Sequence, residues 1–236
     1  MVKAELIKRS PLRIFERSTR GGLGQGNLGI IAAKKGVGKT AVLVHLATDG
    51  LFRGRHVIHV SFSASTSHII EWYEDIFSEI ARRYDLDMAM AAHDDLIKNR
   101  VIMNFNQDGV KVSQIVKSLK IMITEGHFAA DVVVVDTYDF SKAPEKDVRE
   151  FKRFAQETGI ELWFSASLPA TPIQYDESGY PSYLSPFMES VSILVMLKPH
   201  DGLIHLELVK DHDIRPAPDL HLKLDPKILL IALAES

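Results

Sequence analysis

Residues 28–45 read Leu28-Gly-Ile-Ile-Ala-Ala-Lys-Lys-Gly-Val-Gly-Lys-Thr-Ala-Val-Leu-Val-His45. A short apolar run enters a glycine-rich turn, and Gly38-Lys39-Thr40 opens an apolar stretch at helical spacing. This is the strand–loop–helix order of a phosphate-binding loop, or P-loop. Gly36 and Gly38 let the backbone curl so that successive N–H groups point inward at an anion. The helix beginning near Lys39 adds the positive end of its dipole. The motif places Lys39 on the β- and γ-phosphates of a nucleotide and the Thr40 hydroxyl on Mg²⁺. The expected nucleotide-binding segment is Ala33, Lys34, Lys35, Gly36, Val37, Gly38, Lys39, Thr40 and Ala41, with Ala33 standing where the motif has its first glycine.

A second segment completes the pattern. Asp131-Val-Val-Val-Val-Asp136 reads as a strand buried on both faces, as in a parallel sheet. Such a strand delivers Asp136 to the sheet's C-terminal edge, where ligands of open α/β sheets bind. There the carboxylate is expected to hold Mg²⁺ through water, making Thr40 and Asp136 the expected metal site.

Bulk properties bound the rest. The chain has 236 residues, 46% of them hydrophobic and 25% charged, with a formal net charge of −3. Those values fit a soluble globular domain and supply no electrostatic argument for a nucleic-acid partner. The absence of cysteine excludes disulfides, thiolate metal sites and cysteine nucleophiles, and is compatible with a reducing compartment. No apolar run approaches the ~20 residues of a membrane span, and Met1–Arg9 lacks the apolar core of a signal peptide. The expectation is a cytoplasmic protein with no membrane partner.

Strands and helices alternate, which predicts a mainly parallel sheet flanked by helices, in one domain spanning residues 1–236. Strands are expected near 28–32, 57–62, 101–104, 132–135 and 162–165, and helices near 39–51, 67–84, 111–125 and 147–158. In the second helix Ile69, Trp72, Tyr73, Ile76, Phe77 and Ile80 share a face expected to enter the core. Residues 169–186 carry four prolines and read as a long loop. The end of the chain reads as β-hairpin strands, with Asp201-Gly202 as the turn signal. Three of the ten histidines, His56, His59 and His68, lack tight metal-ligand spacing on one face, and no zinc site is expected.

From Gly21-Gly-Leu-Gly-Gln-Gly-Asn through the P-loop, the sequence resembles the opening of RecA/KaiC/DnaB-type ATPases. The resemblance continues in outline through Gly54-Arg-His-Val-Ile-His-Val-Ser61, Asp136 and Val209-Lys210-Asp211-His212. It implies a RecA-like P-loop core that uses ATP and Mg²⁺. It also implies a glutamate at the end of the second strand to activate water. Here that stretch reads Val60-Ser-Phe-Ser-Ala-Ser65, and Thr137 occupies the position after Asp136 where another P-loop branch keeps its base. Asp139 and Glu71 are the substitute candidates. Lys210 matches a lysine that the superfamily offers to a neighbouring subunit, with His212 or Arg215 as its partner. Lys34 also matches a lysine of ParA/MinD-type partitioning ATPases.

These features imply a nucleotide-dependent regulatory switch or assembly subunit with weak or absent hydrolysis, acting with a protein partner or with itself. An active ATPase, as a motor, a DNA-handling enzyme or a partitioning ATPase, and a protein-interaction module without nucleotide are the alternatives. The stretch from Phe154 to Leu197, where RecA-type proteins keep basic DNA-binding loops, contains no Lys or Arg. No nucleic-acid partner is therefore expected.

Overall fold

The computed structural model describes residues 7–62, 65–83, 89–106, 108–214, 216, 220–228 and 230–233. A short helix, α1 (Leu12–Ser18), leads into β1 (Leu28–Lys34) and the P-loop helix α2 (Lys39–Phe52). Then follow β2 (Val57–Ser61), α3 (Ser67–Arg83), α4 (Ala89–Lys98), β3 (Arg100–Asn104), α5 (Val112–Thr124) and β4 (Val132–Asp136). Next come α6 (Glu145–Thr158), β5 (Glu161–Leu168), β6 (Ile193–His200), β7 (Leu203–Asp211), β8 (Leu222–Asp225) and β9 (Leu230–Leu233).

The nine strands form one sheet in the order β3-β2-β4-β5-β1-β6-β7-β8-β9. The first six in that order are parallel, and β6 through β9 pair antiparallel. The expected α/β class and the C-terminal antiparallel strands are both present.

Period-2 alternation divides β1 between two apolar layers. Ile31 and Ala33 face a layer shared with α1, α2 and α3, whereas Leu28, Ile30 and Ala32 face the layer of α5 and α6. All of these are buried, so β1 reads as a continuous apolar run rather than an alternating one. Gly29 in its middle is a packing requirement. A Cβ there would lie 2.3 Å from the Trp163 ring on the neighbouring β5.

Several boundaries differ from expectation. β1 and β5 run on to Lys34 and Leu168, because each continues to pair with the other along its length. The Met88–Ala92 tail does not extend α3: a separate helix begins at Ala89, and residues 84–88 lie outside the described residues. Asp201 and Gly202 both take positive φ, 49° and 76°, and join β6 to β7 through the expected two-residue turn. The proline-rich stretch after Pro169 folds on Asp176, which accepts hydrogen bonds from the Ser178 and Tyr180 N–H groups, each at 2.9 Å. Its Tyr183 is half-buried and Phe187 is buried, while Tyr175 stays exposed.

Candidate functional site

The P-loop lies between the end of β1 and the start of α2. Gly36 and Gly38 have φ of 83° and 99°, and Gly38 is the residue that caps the helix. A side chain at Gly38 is excluded twice. Its φ is left-handed, and a Cβ would sit 2.5 Å from Leu224 Cδ2.

Lys39 is 8% exposed. Its ammonium donates to the carbonyls of Lys34 (3.0 Å) and Ala33 (3.3 Å). Burial pushes its pKa down, and the nearby Asp136 carboxylate opposes that shift. A partly desolvated ammonium beside a helix N-terminus attracts an anion strongly, because little water screens it.

Asp136 is 2% exposed at the end of β4. Thr40 Oγ1 donates to its Oδ2 at 2.9 Å, and Ser165 Oγ donates to its Oδ1 at 2.6 Å. The sheet order explains Ser165. β5 lies between β4 and β1, so a β5 residue spans the gap from Asp136 to the P-loop strand. Ser165 also accepts from the Thr137 N–H at 2.9 Å. Thr137 itself has φ of 61°, unusual for a β-branched residue. Its hydroxyl donates to the Asp136 carbonyl at 2.7 Å and accepts from Phe62 N–H at 3.2 Å. These bonds hold a backbone turn that otherwise costs roughly 1–3 kcal/mol.

The cleft above these groups has a volume of about 660 Å³, within the range of small-molecule sites. Lys35 through Thr40 form its floor, with Asp136–Phe140, Ser165 and Ser167 along one side. Trp72, Tyr183, Ile204, Leu224 and Pro226 complete the walls. The donor set suits Mg²⁺. Thr40 Oγ1 and Asp136 Oδ2 are hard oxygens within one hydrogen bond of each other, and Mg²⁺ takes oxygen ligands alongside phosphate.

The remaining candidate residues are distributed unevenly. Ala33 is buried and contributes its carbonyl to Lys39, Val37 packs against the core, and Ala41 is buried within α2. Lys34 is exposed and donates to the Ala170 carbonyl at 3.0 Å. Asp139 lines the cleft, but its carboxylate caps a short 3₁₀ turn, accepting from Ser141 N–H at 3.0 Å and Ser141 Oγ at 2.6 Å. Glu71 is not brought to the cleft. Its side chain is 71% exposed and lies 3.8 Å from His68. Lys210 donates to the Met188 carbonyl at 2.6 Å, and His212 is anchored to Asp211 (2.8 Å) and the Leu23 carbonyl (3.1 Å). Ser63, Ala64 and Arg215 lie outside the described residues.

Helical periodicity places Trp72 in the core, yet it is only half-buried and walls the cleft. Its place at the margin of the α3 apolar stripe is the signal that the sequence offers. Leu224 and Ile204 carry none, since they reach the P-loop only through the pairing of β7 with β8.

No protein-family model matches the chain, and no curated protein matches its sequence. Among solved structures it is similar to the ATPase domain of a DnaB-like helicase with the RecA fold. That similarity has a TM-score of 0.69 at 15% identity, and covers 95% of this chain and 90% of that one. At this identity the likeness is one of fold, and the fold is of the RecA-like ATPase-domain type.

Proposed function

We propose that this chain, as one domain, binds Mg-ATP and acts as a nucleotide-dependent switch or assembly subunit with slow hydrolysis. Lys39 and the α2 N-terminus hold the phosphates, and Thr40 and Asp136 position Mg²⁺. The metal neutralises developing charge on the phosphates, and Ser165 keeps the Asp136 carboxylate turned toward the loop.

The observation that carries this reading is the cleft's distribution of carboxylates. Among its described lining residues only Asp136 and Asp139 are acidic. Asp136 is engaged by Thr40 and Ser165, and Asp139 by Ser141. Phosphoryl transfer needs an oriented nucleophile as well as charge stabilisation. The cleft is equipped for the second and has no spare carboxylate for the first. Self-association or a protein partner follows from the assembly role, and the absence of cations from 154–197 supports a function without nucleic acid.

Isothermal titration with ATP and ADP, with and without Mg²⁺, tests the reading. Binding at or below about millimolar nucleotide is expected, with turnover slower than about one per minute. Absence of binding would favour an interaction module without nucleotide. Turnover of several per second would favour an active ATPase, the reading to which similarity with an ATPase domain lends weight.

A further inference from the structure

A second hollow lies along the C-terminal half of α2, away from the phosphate-facing end of that helix. It is bounded by α1, α2, the end of α3 and the edge strand β9, and its volume is about 270 Å³. Ile14, Phe52, Ile80 and Leu230 give it an apolar floor. Its rim is cationic: Lys8, Arg17 and Arg83 line it, and none of the three has a carboxylate partner among the described residues. The one carboxylate lining the hollow among those residues, Asp49, is already paired with Arg13. Surface cations ordinarily alternate with anions. Here three stand around a concave apolar surface with no compensating charge.

We propose that this hollow is a second ligand site, which takes a small oxyanion, phosphate or carboxylate, carried on a compact apolar body. The floor gains from burial of that body at about 25 cal/mol per Å². The rim supplies charge-assisted hydrogen bonds to the anion. The volume is just under the usual range of small-molecule sites, which limits the body to about one ring.

His45 supplies a further donor. Its Nδ1 accepts from the Ile231 N–H at 3.0 Å, so the neutral ring carries its proton on Nε2. Burial and the Arg83 charge keep the ring neutral, with a pKa lowered to about 4. A neutral donor on the wall and cations on the rim favour a ligand whose charge sits at the mouth and whose body lies inside.

The test is methyl NMR of the isoleucines in the full chain, titrated separately with phenyl phosphate, benzoate, inorganic phosphate and phenol. Ile14, Ile80 and Ile231 report on the hollow, and Ile204 reports on capture by the P-loop cleft. Phenyl phosphate and benzoate are expected to shift the first three saturably, and to bind at least about tenfold tighter than inorganic phosphate or phenol. The stronger of the two identifies phosphate or carboxylate as the preferred head. Arg17→Gln with Arg83→Gln, both at exposed positions, is expected to weaken that binding about tenfold while leaving the buried Ile30 signal unmoved. Shifts confined to Ile204, absence of saturation, phenol binding as tightly as phenyl phosphate, or unchanged affinity in the double variant would each overturn the site.

Discussion

At one end of the cleft, Lys39, Thr40, Asp136 and Ser165 form a buried, hydrogen-bonded set that links the P-loop to β4 through β5. At the other end, beyond β2, the strand leads through Ser61 and Phe62 into the α3 turn, and the nearest α3 acid, Glu71, faces solvent. The first end is preorganised, since its dipoles and charges are fixed before any ligand arrives. The second brings no carboxylate to the place where a nucleophile has to be oriented. Within one cleft, the means of holding a nucleotide and the means of consuming it are separable.

The largest expected effect lies at the preorganised end. Lys39→Ala removes the buried ammonium and is expected to weaken Mg-ATP binding by about 10³-fold, as loss of charge-assisted phosphate contacts implies. Calorimetry measures this, and an unchanged melting temperature shows that the fold survives. Affinity within a factor of a few of wild type would remove the P-loop from the account.

The second probe works at the other end. Adding a carboxylate with Ser63→Glu, or Ala64→Glu if the register slips by one, is expected to raise turnover by about 10²-fold without tightening ATP binding. A coupled phosphate-release assay reads this. A fast wild-type rate that disappears in Asp139→Asn would show that the capping carboxylate is the base, and would erase the contrast between the two ends.

A third prediction concerns the outer surface of α2. His45 is fully buried, and its pKa of about 4 lies below the usual 6.5. The unfolded chain therefore binds the proton more readily, and stability falls as pH drops through that window. The loss attributable to His45 is about 2 kcal/mol from about pH 7.5 to about pH 5. Urea midpoints across that range measure it. His45→Asn keeps an acceptor for the Ile231 N–H and is expected to flatten the slope, whereas an unchanged slope would assign the acid sensitivity to another group, such as buried His59.

The smallest expected effect is on nucleic acid. Residues 169–186 present Asp176 and Glu177 and no cation, so binding to single- or double-stranded DNA weaker than about 10⁻⁴ M at physiological salt is expected. Tight, salt-sensitive binding in an anisotropy titration would place a nucleic-acid surface elsewhere on the chain.

Legibility in the sequence follows the range of the interactions concerned. The P-loop is readable because its parts are contiguous. Strand, glycines, lysine and helix lie within residues 28–45, and their order alone dictates local geometry. The β4 strand is readable because four successive valines suit only a position buried on both faces. Ser165 is visible as a polar residue at a strand end, but its grip on Asp136 is not, because that depends on β5 entering the sheet between β4 and β1. Trp72 is assigned to the core by its spacing because helical periodicity marks a face without saying where that face ends.

The sequence by itself therefore determined the α/β class, the phosphate-binding segment and the absence of a carboxylate where β2 ends, since these depend on local backbone preference and residue identity. The tertiary structure decided which side chains share a space. Leu224 and Ile231 face each other across β8 and β9. Leu224 packs against Gly38 at the nucleotide cleft, while Ile231 donates its N–H to His45 beside the second hollow. One rung of the C-terminal hairpin thus touches both sites. Nothing in the spacing of residues 224 and 231 from the P-loop encodes it, because strand order and register are set by the packing of the whole sheet.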